Sequence, residues 1–116
     1  MNTRKIGDAG EAAAHDFLIG IGAQIVARNV RIAGAEIDLI ARFGDLHAFI
    51  EVKSRRSARY GQPAEAVTPA KQRAIVRAAQ AWAAEHALTD APLRFDVIEV
   101  LPGVIRHIPG AFDASG

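Results

Sequence analysis

Residues 35–55 read AEIDLIARFGDLHAFIEVKSR, and this stretch sets the architecture expected of the whole chain. Two segments rich in Ile, Leu, Val and Phe, Glu36–Arg42 and His47–Lys53, flank the tetrapeptide Phe43-Gly44-Asp45-Leu46. Gly and Asp between two such segments are typical of a β-hairpin turn. The stretch therefore predicts two antiparallel strands joined by a tight turn.

The position of the turn fixes the register of this hairpin. A turn centred on Gly44-Asp45 places Asp38 opposite Glu51, for a two-residue and a four-residue loop alike. Side chains alternate between the two faces of a strand. One face then carries Glu36, Asp38, Ile40, Phe49, Glu51 and Lys53. The other face is entirely apolar and must contact the core; it carries Ile37, Leu39, Ala41, Ala48, Ile50 and Val52.

The rest of the chain adds two helices and three strands to the hairpin. Apolar residues at helical spacing predict one helix over Lys5–Ile19 and a second from the Thr68 cap to about His86. Further strands are predicted at Gln24–Arg31, Arg94–Leu101 and Val104–Ile108. If the third and fourth strands share a sheet, their connection through the second helix makes them parallel. We expect one α/β domain over residues 1–116, a mixed central sheet flanked by helices, with loose termini at 1–4 and 109–116.

The composition excludes several classes of protein. The 116 residues include no Cys, which excludes disulfide scaffolds, thiolate catalysis and iron–sulfur clusters. No apolar run approaches the ~20 residues that a membrane helix needs. The N-terminal residues are not followed by a signal-type apolar stretch. We therefore expect a cytoplasmic protein without a membrane partner.

The charge is unevenly distributed along the chain. The net charge of the whole chain is +1, but the segment from Lys53 to Arg77 has seven basic residues and one acid, Glu65, and so carries +6. A local block of positive charge attracts polyanions such as nucleic acids. The alternative is that the block is a solvated loop and helix face without a ligand.

The predicted hairpin brings two carboxylates side by side. Opposed residues of an antiparallel pair have Cβ atoms ~4.5–5.5 Å apart, so Asp38 and Glu51 repel each other unless a proton or a metal ion lies between them. Hard cations such as Mg²⁺ prefer carboxylate oxygens. Lys53 on the same face adds the positive charge that phosphodiester hydrolysis uses. The alternative is a set of cross-strand ion pairs on a solvated sheet face, with Glu36 opposite Lys53.

Two motifs carry a resemblance to a known family. Glu36-Ile37-Asp38-Leu39-Ile40 and Phe49-Ile50-Glu51-Val52-Lys53-Ser54-Arg55 resemble the signature of the restriction-endonuclease-like, PD-(D/E)XK nuclease superfamily. The chain resembles more closely the small bacterial YraN-type family, whose members are likened to Holliday-junction resolvases. The resemblance extends over most of the chain, through Gly10-Glu11, Ala27-Arg28-Asn29, Gly61, Glu65-Ala66-Val67, Lys71, Arg94-Phe95-Asp96-Val97 and Ala111-Phe112. One departure is Ala35, where the family usually has Gly.

The resemblance implies a restriction-endonuclease-like fold and an endonuclease that uses Mg²⁺ or Mn²⁺ to hydrolyse DNA, branched or junction DNA included. It implies that Asp38 and Glu51 are metal ligands, that Lys53 is the catalytic lysine, and that the carbonyl of Val52 supplies a further ligand. Glu11 corresponds to an acid on the first helix that completes the metal shell. Asp8 and Glu11 also match a capping box, which is the structural alternative for Glu11.

Residues around this pattern are candidates for contact with nucleic acid, DNA rather than RNA. Arg55, Arg56, Arg59 and Tyr60 lie in a long connection that leaves directly from Lys53, and Arg suits phosphate because its planar fork donates two bonds at once. Lys71 continues the core-facing stripe of the second helix, so its amine should point towards the sheet. For Asp96, in the fourth strand, the sequence leaves open a structural role and a role near the site, and it favours the structural one.

Two other functions remain open on the sequence. The domain is either a nuclease, a nucleic-acid-binding module on a nuclease-like fold with weak or no catalysis, or a protein-interaction domain whose ionic face pairs with a partner. Two symmetric cuts in a junction would require a homodimer, because one small chain offers a single site.

Overall fold

The computed structural model describes residues 3–55 and 67–114, with side chains from residue 9 onwards. Two helices and five strands follow in the predicted order: α1 (Thr3–Gly20), β1 (Gln24–Ile32), β2 (Ala35–Phe43), β3 (Leu46–Ser54), α2 (Pro69–Glu85), β4 (Leu93–Leu101) and β5 (Val104–Phe112). The expected mixed α/β fold is confirmed. The predicted residues Arg56, Arg59 and Tyr60 lie outside the described residues.

The five strands form one sheet in the spatial order β1-β2-β3-β4-β5. Only the β3–β4 pair of this sheet is parallel; the neighbouring pairs are antiparallel. The parallel pair is joined through α2, as a strand–helix–strand connection requires. Lys53 of β3 is thereby aligned with Glu99 of β4.

The register of the β2–β3 hairpin is the predicted one. Ile40 pairs with Phe49, and the pairing ends with Leu39 and Ile50. Both faces of the sheet are covered at this point, one by each helix. The α2 side buries a cluster that includes Ile40, Phe49, Ile75, Trp82 and Phe95. The α1 side buries a cluster that includes Ala14, Leu18, Leu39, Ala41, Ile50 and Ile98.

Ile37 corrects the predicted face assignment. Strict alternation placed it beside Leu39 and Ala41, but it packs in the cluster on the α2 side. Ile37 lies beyond the last β2–β3 pair, Leu39 with Ile50, so cross-strand pairing with β3 no longer holds it to one face. This departure begins where the two candidate carboxylates stand.

Residues 3–4 and 109–112, predicted to be loose, belong to regular elements. Helix α1 begins at Thr3, and β5 continues to Phe112 instead of ending at Ile108. Between the pairs Phe95–Phe112 and Val97–Ile108, three residues of β5 oppose Asp96 alone. Gly110 adopts a positive φ of 63° in this bulge, and its N–H donates to Asp96 Oδ1 at 3.0 Å. The Pro109-Gly110 pair therefore forms a bulge within the strand rather than its end.

No helix among the described residues is long and apolar enough to cross a membrane.

Candidate active site

Asp38 and Glu51 lie where β2 and β3 separate. The regular pairing ends one residue earlier, at Leu39 and Ile50. Beyond that point the backbone N–H of Val52 donates to Asp38 Oδ2 at 2.8 Å. The Asp38 carboxylate therefore accepts a hydrogen bond from β3 that a backbone carbonyl of β2 would accept if the regular pairing continued. This contact fixes Asp38 against β3.

The two carboxyl groups interact directly, as the register predicted. Burial, followed by the negative charge of Glu51, raises the pKa of Asp38 from 3.8 to about 7. The hydrogen bond from Val52 opposes this shift, and the charge of Glu11 adds to it. Near neutral pH the pair therefore favours either a shared proton or a cation in its place.

Glu51 is contacted by two lysines through one oxygen. The Lys71 Nζ atom lies 2.7 Å from Glu51 Oε1, and the Lys53 Nζ atom lies 3.6 Å from the same oxygen. The side chain of Glu51 is only 5% exposed, whereas both lysines retain access to solvent. A buried carboxylate is thus neutralised by cations at the rim of the site.

The first turn of α2 positions Lys71. The Thr68 side chain caps the helix and accepts from Lys71 N at 3.2 Å, and Pro69 occupies the first turn. The residues that follow Lys71 on its stripe, Ile75, Ala78 and Trp82, are buried. Lys71 therefore points to the sheet, as predicted. Its hydrogen bond with Glu51 raises the pKa of Lys71 although partial burial opposes the shift.

Glu11 reaches this region because α1 approaches the end of β3. A Cβ atom on Gly10 would overlap the hydroxyl of Ser54, so a side chain at this position would force Ser54 to move. The capping-box alternative for Asp8 and Glu11 is wrong, since both residues lie inside a helix that begins at Thr3. Glu11 is near enough for its charge to raise the pKa of Asp38.

The three acids do not form a closed ligand set. Among the described residues, no group of three or more His, Cys, Asp or Glu side chains could hold a metal ion. Asp38 and Glu51 are therefore a pair of carboxylates that Glu11 influences from a distance. The N–H of Val52 is bound to Asp38, and a role for its carbonyl as a ligand stays a prediction.

Arg55 is held against β4 instead of extending from the site as a loop residue. Its N–H donates to the carbonyl of Val100 at 2.9 Å, which continues the β3–β4 pairing. Its Nε atom lies 2.9 Å from Glu99 Oε2. The predicted phosphate ligand nearest to Lys53 is thus already tied to an acid of β4.

Glu99 and its second partner Arg106 were not predicted. Glu99 is fully buried, and Arg106 Nη1 lies 3.7 Å from Glu99 Oε1. Their place beside the site follows from the alignment of Lys53 with Glu99 across the parallel pair. The sequence does not reveal this alignment, because the crossover between β3 and β4 sets it and no short turn does.

Asp96 belongs to a separate structural network. Its fully buried carboxylate accepts from Arg94 Nε and Nη2 at 2.8 and 2.9 Å, lies 2.8 Å from His107 Nε2, and accepts from Gly110 N. His107 packs edge-on against Phe17 of α1. Burial would raise the pKa of Asp96, but the hydrogen bonds from His107, Arg94 and Gly110 overcome it and lower the pKa. The network pins the β5 bulge to β4.

Fold and site together define a small α/β domain with paired carboxylates and two lysines at one end of a mixed sheet. The chain belongs to the family described as "Uncharacterised protein family UPF0102", whose model matches residues 10–100. This finding confirms the predicted YraN-type family.

Close relatives match over nearly the whole chain. A UPF0102 protein of Symbiobacterium thermophilum is 52% identical over 97% of this chain and 99% of its own length. A UPF0102 protein of Geotalea daltonii is 44% identical over 98% of this chain and 94% of its own length. Among solved structures, the crystal structure of SSO0001 matches with a TM-score of 0.45 and 18% identity, over 97% of this chain and 55% of that one.

Proposed function

We propose that this chain is a metal-dependent nuclease of the PD-(D/E)XK superfamily that hydrolyses phosphodiester bonds in DNA. The observation that carries the proposal is the carboxylate pair Asp38 and Glu51, with both lysines on one oxygen of Glu51. A half-buried acid next to a buried one is costly unless the two bind a cation or a proton. Perturbed acids of this kind are concentrated at functional sites.

The donor set suits a hard divalent cation. Carboxylate oxygens are the ligands preferred by Mg²⁺ and Mn²⁺. Burial is the main cause of the raised pKa of Asp38, and the negative charge of Glu51, which a cation would neutralise, is the next. Asp38 and Glu51 would hold the ion, with the carbonyl of Val52 and the nearby Glu11 as supporting groups. When bound, such an ion activates water and neutralises phosphate charge.

The lysines would act on the substrate. Lys53 and Lys71 contact Glu51 and remain partly exposed, so their amines are available to a phosphate entering the site. Lys53 would orient the nucleophile, and Lys71 would stabilise negative charge that develops on the phosphate. The capped first turn of α2 holds Lys71 in place for this role.

DNA would be held by the basic segment that follows β3. Arg55 lies beside the site, and Arg56, Arg59 and Tyr60 belong to the same segment of sequence. Arginines would bind backbone phosphates, and Tyr60 would stack on an unpaired base. Cleavage of both strands of a junction would require two copies of the chain acting as a homodimer.

A cleavage assay tests the proposal. Labelled single-stranded, duplex, flap and four-way DNA would be incubated with Mg²⁺ or Mn²⁺ and either wild type, Glu51→Gln, or the control Arg28→Gln on exposed β1. We expect cleavage by the wild type and the control, and none by Glu51→Gln with an unchanged circular dichroism spectrum. Equal cleavage by Glu51→Gln would refute the proposal.

A DNA-binding module without catalysis is the second candidate. It is favoured by the two lysines on Glu51, which neutralise this acid without a metal ion, and by the lack of a third ligating acid among the described residues. This candidate predicts that the chain binds the same DNA molecules in a salt-dependent way and does not cleave them. EDTA should leave this binding unchanged.

A further inference from the structure

Glu99, a buried acid outside the carboxylate pair, is contacted by two arginines at the same end of the sheet. Glu99 is fully buried, with the Arg55 Nε atom 2.9 Å from one carboxylate oxygen and the Arg106 Nη1 atom 3.7 Å from the other. Burying a carboxylate is expensive unless cations compensate it. Glu99 therefore forms an ion pair with each guanidinium group, while neither of its oxygens has a hydrogen-bond partner among the described residues.

The register places this cluster beside the candidate active site. Lys53 is aligned with Glu99 across the parallel β3–β4 pair, and Glu99 is aligned with Arg106 across the antiparallel β4–β5 pair. Aligned residues of neighbouring strands project from the same face of a sheet. Lys53, Glu99 and Arg106 thus form one row across three strands, and Arg55 follows Lys53 along the chain.

The Arg106 guanidinium has donors to spare. The Arg106 side chain is 46% exposed, and its contact with Glu99, at 3.7 Å, is too long for a hydrogen bond, so this contact uses none of the five N–H donors of the guanidinium. A planar fork with free donors fits a phosphate group better than an isolated ammonium does.

We infer that Glu99 is a positioning residue that holds Arg55 and Arg106 as a phosphate-binding pair for the DNA backbone next to the cleaved phosphate. This inference rests on the proposed function. Arginines that are already oriented lose less conformational freedom when DNA binds. The β4–β5 end of the sheet then belongs to the DNA-binding surface together with the segment after β3.

The test measures binding of labelled duplex and four-way DNA by fluorescence anisotropy in EDTA, where no metal-dependent cleavage occurs. Arg106→Gln should weaken binding and reduce the slope of log K against log salt by about 1, the amount expected for one phosphate contact. Arg106→Lys should keep the slope and bind several-fold more weakly, because the charge remains and the fork is lost. Arg28→Gln on β1 is the matched control.

Glu99→Gln separates positioning from simple electrostatics. Removing an acid makes the protein more positive and by charge alone should tighten DNA binding. If Glu99 positions the arginines, Glu99→Gln should instead weaken DNA binding. The loss should be smaller when Glu99→Gln is added to the Arg106→Gln variant than when it is added to the wild type. If Glu99→Gln does not fold, the two Arg106 variants decide, since that side chain is half-exposed.

Three results would overturn the inference in distinguishable ways. Unchanged binding by Arg106→Gln, or tighter binding by Glu99→Gln, overturns the positioning role alone when the wild type still cleaves DNA. Absence of DNA binding by the wild type at low salt overturns it together with the proposed function.

Discussion

Lys71 Nζ lies 2.7 Å from Glu51 Oε1, so the first turn of α2 is joined to the end of β3 through a candidate metal ligand. This ion pair crosses between two layers of the fold. It brings positive charge to the one point where the hairpin strands separate, and it connects the stability of α2 docking to the state of the site.

Lys71→Gln should destabilise the metal-free protein. The change leaves the buried Glu51 with Lys53 alone, at the longer distance of 3.6 Å. Because Lys71 is half-exposed and solvent screens the pair, we expect a loss of about 1 kcal/mol in the free energy of unfolding. Urea denaturation measures it, with the exposed Arg73→Gln on the same helix as control. Equal stability of Lys71→Gln and wild type would show that the Lys71–Glu51 ion pair contributes nothing to the free energy of unfolding.

Asp38→Asn should stabilise the metal-free protein at high pH. Burial and the charge of Glu51 raise the pKa of Asp38 to about 7, so the native state binds more protons than the unfolded state between pH 4 and 7. Stability attributable to Asp38 therefore falls as pH rises through this window. The variant lacks that loss and can still accept from Val52 N.

Thermal unfolding from pH 4 to pH 8 in EDTA checks this expectation. The difference in Tm between Asp38→Asn and wild type should be near zero at pH 4 and reach its full size at pH 8. Asp45→Asn, in the exposed hairpin turn, serves as control. A gain that is independent of pH would mean that ionisation of Asp38 is not its cause.

Asp96→Asn should destabilise the fold by about 2–4 kcal/mol, because Arg94 and His107 lose a buried, charged acceptor. Despite burial, hydrogen bonds lower the pKa of Asp96, so its contribution is present above the ordinary pKa of Asp and is lost as pH falls through the lowered value. Denaturation at pH 7 and in acid measures the difference. A penalty that grows towards acid would contradict the assignment.

Gly10 should gain most from a side chain when Ser54 is shortened. Gly10→Ala improves helix propensity by ~1 kcal/mol, but its Cβ displaces the exposed Ser54 hydroxyl. We expect Gly10→Ala to gain less than this amount, and Gly10→Ala/Ser54→Ala to be more stable than the sum of the two single changes predicts. Calorimetry on the two single variants and the double variant measures the coupling. If the effects of the two single changes on stability simply add in the double variant, contact with Ser54 is not what constrains position 10.

Local rules predicted much of this fold and site. The hairpin register followed from one turn, and the alternation that it sets brought Asp38 to Glu51. The helical stripe ending in Trp82 correctly aimed Lys71 at the sheet. Each of these predictions depends on neighbours along the chain or on a single two-residue turn.

The features that the sequence did not predict depend on long-range alignment. The parallel register of β3 and β4 brings Glu99 level with Lys53, and no local signal encodes it. The β5 bulge at Gly110 exists because Asp96 on another strand accepts its N–H. Ile37 packs on the α2 side although Leu39 packs on the α1 side; it lies beyond the last pair of β2 with β3 and is still paired with Val30 of β1. Tertiary contacts decided all three.

Binding of Mn²⁺ tests the central claim most directly. Free Mn²⁺ would be followed by electron paramagnetic resonance during titration into wild type, Asp38→Asn and the control Asp45→Asn, without DNA. The account predicts a saturable site in the wild type and in Asp45→Asn, and its loss in Asp38→Asn. Equal binding by wild type and Asp38→Asn, or none by the wild type, would contradict the assignment of the carboxylate pair as a cation site.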